Sequence, residues 1–281
     1  MDLLKRVAAI HDISGVGKCS LTVALPIISA AGVECSVMPT ALLSTHTGGF
    51  EGFTYRDLTD DMMPIAKHWK EENIKFDAFY SGYLGSLGQI DIVRDIFGMF
   101  RTPETLIMVD PVMADDGKLY TLFTSDHVKG MTKLCGHADV IIPNRTEAAF
   151  MLEREYKAGA MTQDEVNDLL YSLAGLGPRQ VVLTGVYFGN DDLGAACYDK
   201  GSGQIDYIMD KRIEGMYHGS GDAFGSFLMG ALMRGRRLAA ATRIAVDFTC
   251  AAIRLTAADK TGPRMGVRFE SVLPDYGNQL K

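Results

Sequence analysis

The chain has 281 residues, 47% hydrophobic and 22% charged, with 30 glycines and no low-complexity tract, so one enzyme-sized folded domain over 1–281 is expected. A net charge of −7 and only one short basic cluster, "RGRR" at 234–237, argue against nucleic acid as a partner, because phosphate backbones are held by basic faces. Five scattered cysteines without a C-x-x-C pair suit a reducing cytoplasm, six histidines without an H-x-x-x-H pair give no zinc pattern, and no apolar run is long enough to span a membrane.

Along the chain, the apolar run 6–10 reads as a strand, followed by "SGVGKCS" at 14–20 and an amphipathic helix at 20–31. The Gly-Lys pair suggests a phosphate-binding loop, G-x-x-x-x-G-K-[ST], but that pattern needs glycine at 12 and a hydroxyl at 19. The chain has Asp12 and Cys19, a carboxylate that would face polyphosphate and a thiol that ligates magnesium poorly. Further strands are predicted at 34–40, 78–81, 106–110, 139–142 and 180–184. Helices are predicted between them at 59–73, 89–100, 125–134, 146–152 and 162–176. Pro64 falls near the start of the first of these, and Thr162 with Glu165 forms a capping box at the last. After Thr184 the segments 195–199 and 205–212 flank "KGSGQ" and read as an antiparallel pair, before helices at 222–233 and 238–257. The alternation predicts an α/β fold with a mostly parallel central sheet, covering helices and an antiparallel edge on the C-terminal side.

Ligands of open α/β sheets bind beyond the carboxyl ends of the strands. The polar residues there are Asp12 and Ser14, the segment 44–47, Tyr83, Asp110, Asn144 and Glu147, Thr184, and "HGSGDAFGSF" from His218. In the last stretch Gly219, Ser220 and Gly221 lead into a helix, so three N–H groups and the positive end of the helix dipole converge as an anion hole beside Asp222. Asp222 is placed to take a proton from a hydroxyl, although a plain helix start with an acidic first turn fits the spacing equally well. Asp110 is either a turn cap or a magnesium ligand acting through water. Glu147, three residues after Asn144, either caps its helix or shares a magnesium with Asp110.

The motifs "HDISGVG", "THTGG", "SGYLGS", "DPVM", "PNRTE", "VLTG" and "GSGDAF" resemble, in order and approximate spacing, those of the pyridoxal kinases within the ribokinase superfamily, from about residue 7 to 256. The resemblance implies a ribokinase-like three-layer sandwich with helices on both faces of the sheet. It implies ATP-dependent phosphorylation of the 5′-hydroxymethyl group of pyridoxal, pyridoxamine or pyridoxine. Asp222 would then be the base, with Gly219, Ser220 and Gly221 as the anion hole. Asp110 and Glu147 would hold Mg2+ and phosphates, Asn144 and Thr184 would touch the phosphates of ATP, and Asp12, Ser14, Thr47 and Tyr83 would line the ring pocket. A homodimer and assistance by K+ are also implied.

Two features depart from the pattern. Asp12 stands nearer the "GSD" start of the hydroxymethylpyrimidine phosphate kinases, which makes a pyrimidine kinase the alternative reading and a non-catalytic B6-binding protein a third. The segment "MADDGKLY" at 113–120 is short, so looser cover over ATP is expected. Within "SGVGKCS", Gly15 and Gly17 are expected to let the backbone approach the substrate ring, and Lys18 to be a solvated first-turn residue.

Overall fold

The computed structural model describes residues 4–121, 123–259 and 263–281. In chain order the elements are β1 (Arg6–Val16), α1 (Leu21–Ala30), β2 (Glu34–Thr45), β3 (Tyr55–Asp57), α2 (Thr59–Glu71), β4 (Ala78–Ser81), α3 (Leu87–Phe100), β5 (Leu106–Val109), β6 (Ala114–Asp115) and β7 (Lys118–Leu119). They continue with α4 (Ser125–Gly136), β8 (Val140–Ile141), α5 (Arg145–Met151), α6 (Gln163–Gly175), β9 (Gln180–Val186), β10 (Asp192–Asp199), β11 (Gln204–Lys211), α7 (Ser220–Met233), α8 (Leu238–Ala257) and α9 (Leu273–Gln279).

Nine of these strands form one sheet in the order β11-β10-β9-β8-β5-β4-β1-β2-β3. The run from β9 to β2 is parallel. Strands buried on both faces carry apolar residues at consecutive positions, and β1 shows the result. Val7 and Ala9 enter a core built with α1, α7, α8 and α9, while Ala8 and Ile10 enter a second core built with α2, α3, α4, α5 and α6. Phe79 and Tyr80 of β4 divide in the same way, and both are fully buried. This is the three-layer, ribokinase-like sandwich that the resemblance implies. The antiparallel edge expected on the C-terminal side is β10 and β11. No helix among the described residues is long and apolar enough to cross a membrane.

The structure adds to the expected elements where their sequences carry no periodic signal. β1 continues beyond 10 because Ile13, Ser14 and Val16 go on pairing with Leu42, Leu43 and Thr45 of β2 after a bulge between His11 and Ile13. β3, the exposed "YRD", makes a second antiparallel edge against Ala41, Leu42 and Leu43. β6 and β7 are an isolated hairpin whose two-residue turn, Asp116 and Gly117, takes φ of 47° and 75° as an Asp-Gly turn does. The capping box at Thr162 and Glu165 is formed, with Glu165 N–H donating to Thr162 Oγ1 at 3.2 Å and Thr162 N–H to Glu165 Oε2 at 2.9 Å.

Candidate functional site

Asp12 and Ser14 on the extension of β1, Tyr83 after β4, Asp110 after β5, Asn144 and Glu147 after β8, and Thr184 near the end of β9 lie at the carboxyl ends of the parallel strands. The start of α7 comes in beside them. Gly219, the residue before α7, is in the left-handed region at φ 75°, and a Cβ there would lie 2.0 Å from the carbonyl oxygen of Lys18. That contact seats the start of α7 directly on the turn at 17–20. Ser220 N–H already donates to Tyr217 O at 3.3 Å, which corrects the expectation of three unengaged donors. The donors that a helix start leaves open are therefore those of Gly221 and Asp222.

Burial, and behind it the charge of Asp12, pushes the Asp222 carboxyl up to about 6, with the nearby Ser20 backbone N–H opposing the shift. Ser20 Oγ donates to Asp12 Oδ1 at 2.6 Å. Asp12 is buried, and its pKa is raised by that burial despite the hydroxyls of Ser20 and Ser14 beside it. Ser20 itself holds φ 55° and ψ −127°, a conformation rare for any residue but glycine.

Asp110 is buried, and burial, Glu147 and Asp222 all raise its pKa well above the carboxylate range. Burial likewise raises Glu147, although it accepts Asn144 N–H at 2.8 Å and Met113 N–H at 3.1 Å. Asn144 caps α5, its Oδ1 accepting from Thr146 N–H at 2.8 Å and Glu147 N–H at 2.9 Å, while its Nδ2 donates to Ala114 O at 2.8 Å. Glu147 thus closes the expected capping box, and its charge also lies beside Asp110. Thr184 bridges to Asn144 across the sheet end, with its N–H on Pro143 O at 3.0 Å. The segment after Asp110, expected to be a loose cover, is the β6–β7 hairpin, fastened to α5 by Gly117 N–H on Thr146 Oγ1 at 3.0 Å. It carries the chain to Tyr120, whose hydroxyl is pushed up by burial and then by Glu147, Asp115, Asp110 and Asp222.

Tyr83 joins Asp12, since burial and the charge of Asp12 raise its hydroxyl. Tyr55 of β3 belongs to the same group, pushed up to about 12 by burial, Asp57, Tyr83 and Asp12 in part. Thr47 stands apart at the mouth. It is exposed, lines an open pocket of about 660 Å3 with Phe50 and Arg264, and makes no hydrogen bond with Asp12, Ser14 or Tyr83 among the described residues. Its neighbour His46 ties that mouth to the segment leading into α7, with its ring 5.2 Å from His218 and Nε2 2.8 Å from Arg264 O.

The opening turn also differs from its expected role. Gly17, at φ 90°, makes room for the His46 ring, which a Cβ would meet at 2.0 Å. Gly15 faces the carbonyl of Ser44 instead of open pocket. Lys18 is not a solvated helical residue. Its Nζ pairs with Glu270 at 2.8 Å and its backbone N–H bonds Met265 O at 3.0 Å, so it anchors the turn. Ser20, Tyr55 and Tyr120 are the site-facing residues that sequence reasoning missed. Only the Asp-Gly turn before Tyr120 left a local signal.

The phosphomethylpyrimidine kinase family model matches residues 25–267. A crystal structure from Bacteroides thetaiotaomicron, provisionally named a phosphomethylpyrimidine kinase and solved in one form with pyridoxal, is 39% identical in that form, with a TM-score of 0.93 over 98% of this chain and 96% of that one. The pyridoxal kinase of Lactobacillus plantarum is 31% identical, with a TM-score of 0.90 over 99% of this chain and 98% of that one. A pyridoxal kinase of Arabidopsis thaliana is 25% identical over 228 residues, covering 78% of this chain and 71% of the relative.

Proposed function

The chain belongs to the phosphomethylpyrimidine kinase family, and on that ground we propose that it phosphorylates the 5′-hydroxymethyl group of pyridoxal, pyridoxamine or pyridoxine from ATP. The observation that carries this reading is Asp222. It is a carboxyl held near pKa 6 in the first turn of α7, within electrostatic reach of Asp12, which acts on Tyr83, and of Asp110, on which Glu147 also acts. The substrate hydroxyl gives its proton to Asp222 as its oxygen attacks the γ-phosphorus. The new O–P bond forms while the bond to the β-phosphate oxygen breaks, ADP leaves, and the open N–H groups of Gly221 and Asp222 at the α7 start take the developing charge.

Asp12, Ser14 and Tyr83 hold the ring, with Thr47 at the entrance, while Asn144 and Thr184 border the phosphates. Asp110 and Glu147 are the residues that would hold Mg2+. Every charge acting on Asp110 pushes its pKa upward, an imbalance that a divalent cation relieves. Bound there, Mg2+ would neutralise charge between the β- and γ-phosphates. The named pyridoxal kinases among the relatives, and the pyridoxal in the Bacteroides structure, support the choice of acceptor. A homodimer in the cytoplasm and a K+ dependence belong to the same proposal, with sedimentation and a K+ titration as their checks.

A coupled ADP-release assay across the B6 vitamers and hydroxymethylpyrimidine, with Mg2+ and then with chelator, tests the reading. ADP release with a B6 vitamer that stops on chelation is the expected result. Asp222→Asn should keep the fold and lower turnover by roughly 10²–10⁴, and turnover near wild type would remove Asp222 from the role of base. The second reading, a hydroxymethylpyrimidine kinase, is favoured by Asp12 and by the family's name, and a higher kcat/KM for the pyrimidine would install it. Binding of pyridoxal without ADP release from any vitamer would leave a non-catalytic B6-binding protein.

A further inference from the structure

We propose that Ser20 is a positioning residue that holds the ring-pocket carboxylate and the catalytic base in one register, an inference that rests on the kinase reading above. Its Oγ donates to Asp12 Oδ1 at 2.6 Å, and its backbone N–H lies beside the Asp222 carboxylate and favours its charged form. One residue thus sits between two acids that arrive from β1 and α7.

Ser20 bridges Ile13 through its backbone and its carbonyl takes the first bonds of α1, but neither contact uses its side chain. Ser20 precedes α1, yet its side chain makes no cap hydrogen bond to that helix. It holds φ 55° and ψ −127°, a strained conformation for a residue with a Cβ. Such strain persists only where the surroundings over-determine it. Here the surroundings are the Lys18 to Glu270 ion pair at 2.8 Å, the Lys18 N–H bond to Met265 O at 3.0 Å, and the Lys18 carbonyl pressed against Gly219. The turn at 17–20 is clamped from outside, and Ser20 is its inward-facing end. A charged acceptor makes the Ser20 to Asp12 bond stronger than a neutral one. The hydroxyl thus orients Asp12 for the acceptor, while the N–H beside Asp222 favours the ionised form of the base.

The test uses the full chain and the acceptor with the highest turnover. Ser20→Ala removes the hydroxyl and keeps the N–H, so the acceptor KM should rise about tenfold with kcat within about twofold. Ser20→Gly removes the same hydroxyl but relaxes the backbone. It should show the same KM rise with a Tm a few degrees higher, and it stands in if the alanine variant fails to fold. In an Asp12→Asn background, Ser20→Ala should add less than about twofold, because a residue acting through Asp12 has nothing left to orient. A KM at the wild-type value in both Ser20 variants overturns the inference while leaving the kinase reading intact. An equal KM rise with and without Asp12 overturns it too, assigning Ser20 a general structural role. Wild-type protein that releases no ADP with any acceptor removes the kinase reading and this inference with it.

Discussion

Asp222 couples activity and stability to pH with opposite signs. Only its ionised form accepts a proton, so kcat/KM for the acceptor should climb as pH rises through about 6 and level off above it. Stability runs the other way. The folded state holds this proton up to about 6, whereas the unfolded chain releases it near the ordinary aspartate value of 3.8. Between those values the folded state binds more protons, and stability is lost as pH rises through the window. Asp222→Asn removes the titration, so calorimetry should show its Tm gaining on wild type between pH 4 and pH 7 while turnover collapses. A Tm difference that stays flat over that range would mean that Asp222 titrates in the folded protein as it does in solution.

The seam between α7 and the turn at 17–20 rests on Gly219. A Cβ there meets a backbone carbonyl at 2.0 Å in a left-handed conformation, whereas a Cβ on Gly221, two residues on, meets nothing within 4 Å. Gly219→Ala should therefore cost roughly 1–3 kcal/mol in denaturant unfolding and lower turnover, with Gly221→Ala near wild type in stability. The same contrast shows what the chain made legible. The alternation of strands and helices was readable because strands such as β1 and β4 bury both faces and so appear as unbroken apolar runs. The acids after those strands were readable because an open parallel sheet leaves its ligand crevice there. β3, β6 and β7 were not readable, since two or three residues carry no period. Ser20 was hidden for a different reason. It sits where a helix cap would, and only the docking of α7 on the turn directs its hydroxyl to Asp12 instead.

Across the molecule, the topology carries Asp110 from β5, Glu147 from α5 and Asp222 from α7 into one crevice, although nothing in their local sequences brings them together. Asp110 and Glu147 are buried and Asp222 is half-buried, and Glu147 and Asp222 both press the Asp110 pKa upward. Gathering like charges in a desolvated crevice costs stability that a protein selected for stability alone would not give up. A bound cation returns it, so nucleotide with Mg2+ should raise Tm in proportion to the logarithm of its concentration, and nucleotide with chelator should raise it less. Asp110→Asn separates the two effects. Asparagine removes a carboxyl whose ionised form burial and its neighbours disfavour, so the ligand-free variant should melt at or above wild type, with the margin growing as pH rises. It should also lose the Mg2+-dependent part of the nucleotide shift, and its turnover. A variant that melts below wild type without ligand, yet keeps the full Mg2+ response, would show that Asp110 serves the turn after β5 and not the metal.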